Sequence, residues 1–306
     1  MAKRKTSKEI LSELAAEDDG RPSRPIGPWS LEKLATLLLY FEAFTTACKS
    51  VGGGYYVDAL AGPGMCEVRG ALFQQARVWG SPLIALRTEP KFQTCIFVEK
   101  KEDTARTLHA RVESFGTRAS VHQGDVNEEL PRIISQDVPR GAPCFCLLDP
   151  EALEVHWSTI EQIARTPRRA RKPELLILFP LKTALVRQLA VLKPMTDAGF
   201  ERVSRFFSTQ AWRDIHQARK EEEISPPEAL VRYLDLYCAD LKALGYGWVL
   251  SKRIAIPAKP GGRNRRELYH LVFATDHEAG DRIMRNVFRR PYALDFLVTG
   301  QKPLNI

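Results

Sequence analysis

No run of apolar residues in this chain reaches the roughly 18 needed to span a bilayer, so no membrane helix is expected. The first residues, Met1-Ala2-Lys3-Arg4-Lys5-Thr6-Ser7, are basic but have no apolar segment behind them, which argues against a secretory signal. Six cysteines (Cys48, Cys66, Cys95, Cys144, Cys146 and Cys238) form no Cys-x-x-Cys pair. Most stand in apolar context, as reduced, buried thiols of a cytoplasmic protein do. The six histidines are scattered without ligand spacing, so no metal is expected. Gly-x-Gly-x-x-Gly is missing, and so is Gly-Lys-Ser/Thr, which argues against NAD and against a phosphate loop for ATP or GTP. There is no internal repeat.

What remains is a globular composition, with 44% hydrophobic and 27% charged residues, enough for an ample core in 306 residues. The net charge of +8 permits a polyanionic partner such as nucleic acid without demonstrating one. Residues 1–28 are polar, charged and proline-containing and read as a flexible tail. A helix from Ser30 to about Lys49 comes next, with Leu31, Leu34, Leu37, Leu38, Phe41 and Phe44 on a broad apolar face.

Five strand-like runs then alternate with helices, beginning at Tyr55, Thr94, about Arg118, Cys144 and Glu174. That alternation predicts a parallel sheet covered on both sides. Residues 181–245 carry helical patterning alone, too long for one crossover, and read as a helical insertion. It serves either substrate recognition or as a lid packed on the sheet. Two further strands, around Trp248–Pro257 and Leu268–Thr275, flank a short glycine-rich connection and should pair as an antiparallel hairpin. The stretch from Gly64 to Trp79 reads as irregular.

Ligands of open α/β sheets bind beyond the carboxyl ends of the strands. Here those ends carry Asp58 with Gly62 and Gly64, then Glu99, Asp125 and Asp149 in turn. The order suits a nucleoside cofactor. Glycine admits its tail, the acid after the second strand takes ribose hydroxyls, and a polar group after the third meets the base. Each acid also has a local alternative, which is to cap the next helix.

These residues resemble the class I S-adenosylmethionine-dependent methyltransferases, and more closely the bacterial three-Cys-motif partner protein family. The likeness rests on Tyr56-Val57-Asp58-Ala59-Leu60-Ala61-Gly62-Pro63-Gly64, Gly80-Ser81-Pro82-Leu83-Ile84-Ala85-Leu86, Phe97-Val98-Glu99-Lys100, Leu148-Asp149-Pro150 with Trp157-Ser158-Thr159-Ile160, and Leu175-Leu176-Ile177-Leu178-Phe179-Pro180. Phe273-Ala274-Thr275 with Ile283-Met284 completes the set. The resemblance implies an α/β, Rossmann-like class I methyltransferase fold over residues 29–306. Its seven-stranded, mostly parallel sheet would end in the hairpin and carry the helical insertion. It further implies S-adenosylmethionine as cofactor, with Gly62 and Gly64 beside its methionine portion, Glu99 at the ribose and Asp125 near the adenine.

Asp149-Pro150 stands where amino-methylating enzymes keep Asp/Asn-Pro-Pro-aromatic, and so marks the candidate catalytic position. The second proline and the aromatic are replaced by Glu151-Ala152. Trp157 either supplies the missing ring or belongs to the core. Arg263, Arg265 and Arg266 on the hairpin are candidate phosphate contacts, ahead of the cluster Arg165 to Lys172, which precedes the fifth strand at its amino end. The family name implies a second possibility, a non-catalytic module that binds a three-Cys-motif protein.

Overall fold

A computed structural model describes residues 5–69, 76–166, 171–180, 196–257 and 265–289, with the single positions 185 and 189. Side chains are described throughout these except at 256, 257, 265 and 266.

Seven strands form one sheet: β2 (Tyr55–Asp58), β5 (Thr94–Glu99), β6 (Ala119–Gln123), β7 (Cys144–Leu148), β8 (Glu174–Phe179), β9 (Trp248–Pro257) and β10 (Arg265–Thr275). Their spatial order is β6-β5-β2-β7-β8-β10-β9. The first five are mutually parallel, whereas β10 runs antiparallel to both β8 and β9. The Rossmann-like α/β fold with a terminal antiparallel hairpin is therefore the one observed. Its topological switch point lies between β2 and β7, because the chain leaves β2 toward β5 and returns on the other side.

Alternation of side chains sorts the apolar strand residues into two layers. Tyr56, Phe145, Leu147 and Leu176 face a core shared with α2 (Ser30–Ala47), α3 (Ser81–Arg87), α4 (Glu102–Val112) and α10 (Glu278–Phe288). Val57, Cys146, Leu148, Leu175 and Ile177 face the other, built with α5 (Val126–Gln136) and α6 (Trp157–Ala164). To this second layer the helices between β8 and β9 contribute: α7 (Asp197–Phe206), α8 (Trp212–Lys220) and α9 (Pro226–Ala243). The last of these starts as its sequence suggests, with the Ser225 side chain accepting the Glu228 amide and proline in the first turn.

Helix α2 is buried on nearly all sides and fixes the geometry of the site. Phe41 packs edge-on to Tyr56 at 4.8 Å and Tyr40 lies 5.1 Å from Phe145, ring centroid to centroid. Tyr40 donates to Glu174 at the start of β8. Lys33, two turns earlier, meets Asp149 just beyond the end of β7. The helix thus runs opposite to the parallel strands, and its first turn lies at their carboxyl edge.

Over residues 5–28, the described part of the expected flexible tail, ordered elements form instead. Residues Ser7–Leu14 are helix α1, opened by a reciprocal cap between Thr6 and Glu9, and Ile10, Leu11 and Leu14 are buried in the core. Arg24–Ile26 is a strand, β1, paired in parallel with β3 (Met65–Val68), which pairs in turn with β4 (Arg77–Trp79). This small sheet also replaces part of the stretch expected to be irregular before Trp79. The reason is that Arg111 pins the segment. Its side chain, only 2% exposed, meets Asp19 through Nε at 2.8 Å and Nη2 at 2.7 Å. It also donates to the carbonyls of Arg21, Pro22 and Pro63. That guanidinium holds the carboxylate of Asp19 well below its ordinary range, at a pKa of about 2.

Candidate functional site

Two cavities adjoin at the carboxyl edge of the sheet. The larger, about 390 Å³, is lined by Gly62, Glu99 and Asp125 and suits a nucleoside-sized ligand. The smaller, about 210 Å³, is lined by Gly64, Lys33, Asp149, Trp29 and Tyr269. Arg24, Pro63, Asp149 and Glu151 belong to both.

The glycine turn owes its shape to the absence of side chains. Gly62 and Gly64 have φ of +66° and +87°, a region that other L residues seldom occupy. A Cβ on Gly64 would stand 2.9 Å from Leu108 Cδ1, so α4 packs directly on the turn. Pro63 between them gives its carbonyl to Arg111.

Glu99, at the end of β5, accepts the Gly62 amide on Oε2 at 3.0 Å and the Lys101 amide on Oε1 at 2.8 Å. An ionised carboxylate offers about four lone-pair sites, so about two remain for ligand hydroxyls. The residue is half-buried, and its acid is aimed by backbone on either side. This fits the ribose of the implied cofactor.

Asp125 lines the same cavity, but its first task is structural. It caps α5, with Oδ1 accepting both the backbone and side-chain nitrogens of Asn127 at 2.9 Å, while Oδ2 meets Lys100 at 3.0 Å. Burial tends to raise its pKa, yet the Asn127 amide and Lys100 outweigh that and leave it lowered.

Asp58 is brought to the same strand end but points into the protein. It is fully buried, accepts from the Tyr56 hydroxyl at 2.8 Å, and lines neither cavity. Burial pushes its carboxyl up to about 6, with the nearby Ser81 and Tyr56 hydroxyls drawing it partly back. Asp58 thus links the end of β2 to Ser81 at the start of α3.

Asp149 and Pro150 line the smaller cavity, where Lys33 makes a close ion pair with Asp149 Oδ2. Both side chains are almost enclosed, at 11% and 8% exposed. Arg24 Nη1 lies 3.9 Å from the same oxygen, and its Nη2 is 3.0 Å from Glu151. Burial disfavours the Arg24 cation, but Asp149 and Glu151 more than compensate and raise its pKa. Next to Lys33 on α2, Glu32 pairs with Lys252 at 2.5 Å. Neither Lys33 nor Arg24 stands out in the sequence. Lys33 falls within an apolar helix, where a charge reads as the solvent side, and Arg24 falls within the supposed tail.

Trp157 is corrected to a core residue. It is buried in the second layer at the start of α6, packs edge-on to Tyr237 at 5.4 Å, and lines neither cavity. Arg263 lies outside the described residues. Arg265 and Arg266 occupy the first positions of β10, opposite Pro257 and Ile256.

No family model matches the chain, and no curated protein does. Among solved structures it is similar to an S-adenosylmethionine-dependent O-methyltransferase from Thermotoga maritima (12% identity, 88% of this chain and 70% of that one, TM-score 0.38). It is also similar to the methyltransferase domain of bacterial CtHen1 (12% identity, 81% and 99%, TM-score 0.40). A third is a putative RNA methyltransferase from Pyrococcus horikoshii (11% identity, 79% and 83%, TM-score 0.35).

Proposed function

We propose that the chain binds S-adenosylmethionine in the larger cavity and methylates a nucleic acid at an amino nitrogen. One observation carries the reading. The Gly62 amide and the Glu99 carboxylate are joined by a hydrogen bond in a cavity that continues directly to Asp149. A hydroxyl-binding acid, a glycine turn and a second acid therefore lie along one path at the switch point. When bound, the cofactor supplies an electrophilic methyl group on a sulfonium.

In this reading Glu99 holds the ribose hydroxyls, and Asp125 stands at the base end of the cavity. Asp149 accepts a hydrogen bond from the target amine and receives its proton, while the Pro150 segment sets its distance from the glycine turn. Lys33 holds the Asp149 carboxylate in one orientation. The excess of basic residues favours a polyanionic acceptor, for which Arg263, Arg265 and Arg266 are candidate phosphate contacts. Transfer of tritiated methyl groups to RNA, DNA or protein pools tests this. Label should enter a nucleic acid, and Asp149→Ala should abolish that when assayed below its own, lowered melting temperature.

A second reading is favoured by the state of Asp149 itself. Its carboxylate already faces two cations, and Glu151-Ala152 stands in place of proline and an aromatic. Both would suit a non-catalytic module that binds a three-Cys-motif protein. Transfer that depends on Asp149 would rule it out.

A further inference from the structure

Arg24 and Glu151 face each other at the junction of the two cavities. Resting on the reading of the larger cavity as an S-adenosylmethionine site, we infer that this ion pair receives the α-amino-acid end of that ligand. Arg24 takes the carboxylate and Glu151 the ammonium.

The guanidinium is poorly satisfied where it stands. Its contact with Glu151 is 3.0 Å, but the Glu151 side chain is 70% exposed, and exposed pairs hold weakly. Asp149 at 3.9 Å is beyond hydrogen-bond range and is held by Lys33 instead. Among the described residues Arg24 makes ion pairs but no hydrogen bond of good geometry. A guanidinium has five N–H donors in a planar fork that matches a carboxylate. With Asp149 out of hydrogen-bond range and only the exposed Glu151 beside it, the Arg24 fork at the junction of the two cavities has donors left for an anion from the ligand.

Position identifies which anion. Arg24 Cδ and Nη1 lie 3.8 and 3.9 Å from the point where a Cβ of Gly62 would stand. The amide of that same glycine holds Glu99. The turn thus has a hydroxyl-binding acid on one flank and a cation on the other, separated by about one residue. A ligand seated on both is a nucleoside with a short chain ending in a carboxylate.

Charge balance identifies the rest. A zwitterionic amino-acid end carries its ammonium and carboxylate on one carbon. Opening the Arg24–Glu151 pair around it exchanges one exposed ion pair for two more enclosed ones and leaves no charge unpaired. Glu151 then has a task at the position where amino-methylating enzymes keep a proline. The receptor is also rigidly mounted, because Arg111 ties Asp19, Arg21 and Pro22 to the Pro63 carbonyl just ahead of Arg24.

The test is calorimetric titration of the full chain with S-adenosylhomocysteine and with methylthioadenosine, which has the same nucleoside but no amino acid. Wild type should prefer the first by about tenfold or more. Arg24→Met should lose most of that preference while binding methylthioadenosine within about twofold of wild type, and Arg24→Lys should keep part of it. An undiminished preference in Arg24→Met overturns the assignment. So does equal loss of both ligands in a variant whose melting curve is unchanged. Failure of both ligands to bind wild type would be a different outcome, since it removes the nucleoside site itself and the assignment with it.

Discussion

Lys33 and Asp149, 116 residues apart in sequence, form a nearly enclosed ion pair at the carboxyl edge of the sheet. The first turn of α2 is thereby tied to the segment after β7, at the switch point where the two cavities adjoin. Removing one partner leaves the other charged and buried. Lys33→Met and Asp149→Asn should each destabilise the protein by about 3–5 kcal/mol. The double variant should recover a large part of that loss. Urea denaturation of all four proteins, combined as a double-mutant cycle, measures the coupling.

The clamp formed by Arg111 makes a second expectation. Arg111→Met removes five hydrogen bonds to Asp19, Arg21, Pro22 and Pro63. A loss of about 2–4 kcal/mol is expected. Hydrogen exchange should quicken over residues 15–26 well before it does in β2 or β7. Unchanged protection of Arg24–Ile26 would show that the segment holds without the clamp.

The two glycines of the turn should respond differently. Gly64→Ala meets Leu108 Cδ1 at 2.9 Å, so the buried Leu108 side chain must shift to admit it. Its cost is that of overpacking, about 1–3 kcal/mol, added to about 1 kcal/mol for the left-handed backbone. Gly62→Ala meets nothing nearer than Arg24 Cδ at 3.8 Å and should cost about 1 kcal/mol for the backbone alone. Thermal melting of both variants checks the order.

At the opposite edge of the sheet, Glu174 accepts from Tyr40 at 2.5 Å and from Thr275 at 2.9 Å. Burial pushes its carboxyl up to about 7. The folded protein therefore keeps a proton there that the unfolded chain releases near its ordinary value of about 4.5. The contribution is fully present below that value and is lost as pH rises through about 7. Stability of wild type relative to Glu174→Gln should fall across this interval. A difference curve flat with pH would contradict the assignment.

Much of this is legible in the sequence for a physical reason. Strands buried on both faces, such as Cys144–Leu148 and the Leu175–Phe179 part of β8, appear as continuous apolar runs, and the polar residues just beyond such runs mark the carboxyl edge of the sheet. Glu99, Asp125 and Asp149, which line the cavities at that edge, stand out in this way. The cations are not. Lys33 is buried because Asp149 partners it from 116 residues away, which no local pattern records. Arg24 lies on a strand of three residues whose partner strand is itself too short to read. The capping box of Thr6 and Glu9, with Ile10, Leu11 and Leu14 behind it, is a visible signal of α1. Trp157 shows the converse: a ring placed near the site by sequence is turned into the core by the helix that carries it.

The most direct test of the account is calorimetry of the intact chain with S-adenosylmethionine, beside Glu99→Ala with the same melting behaviour. Wild type should bind it saturably, and the variant about tenfold or more weakly through loss of the ribose contact. No heat of binding at millimolar ligand, or equal affinity in both proteins, would contradict it.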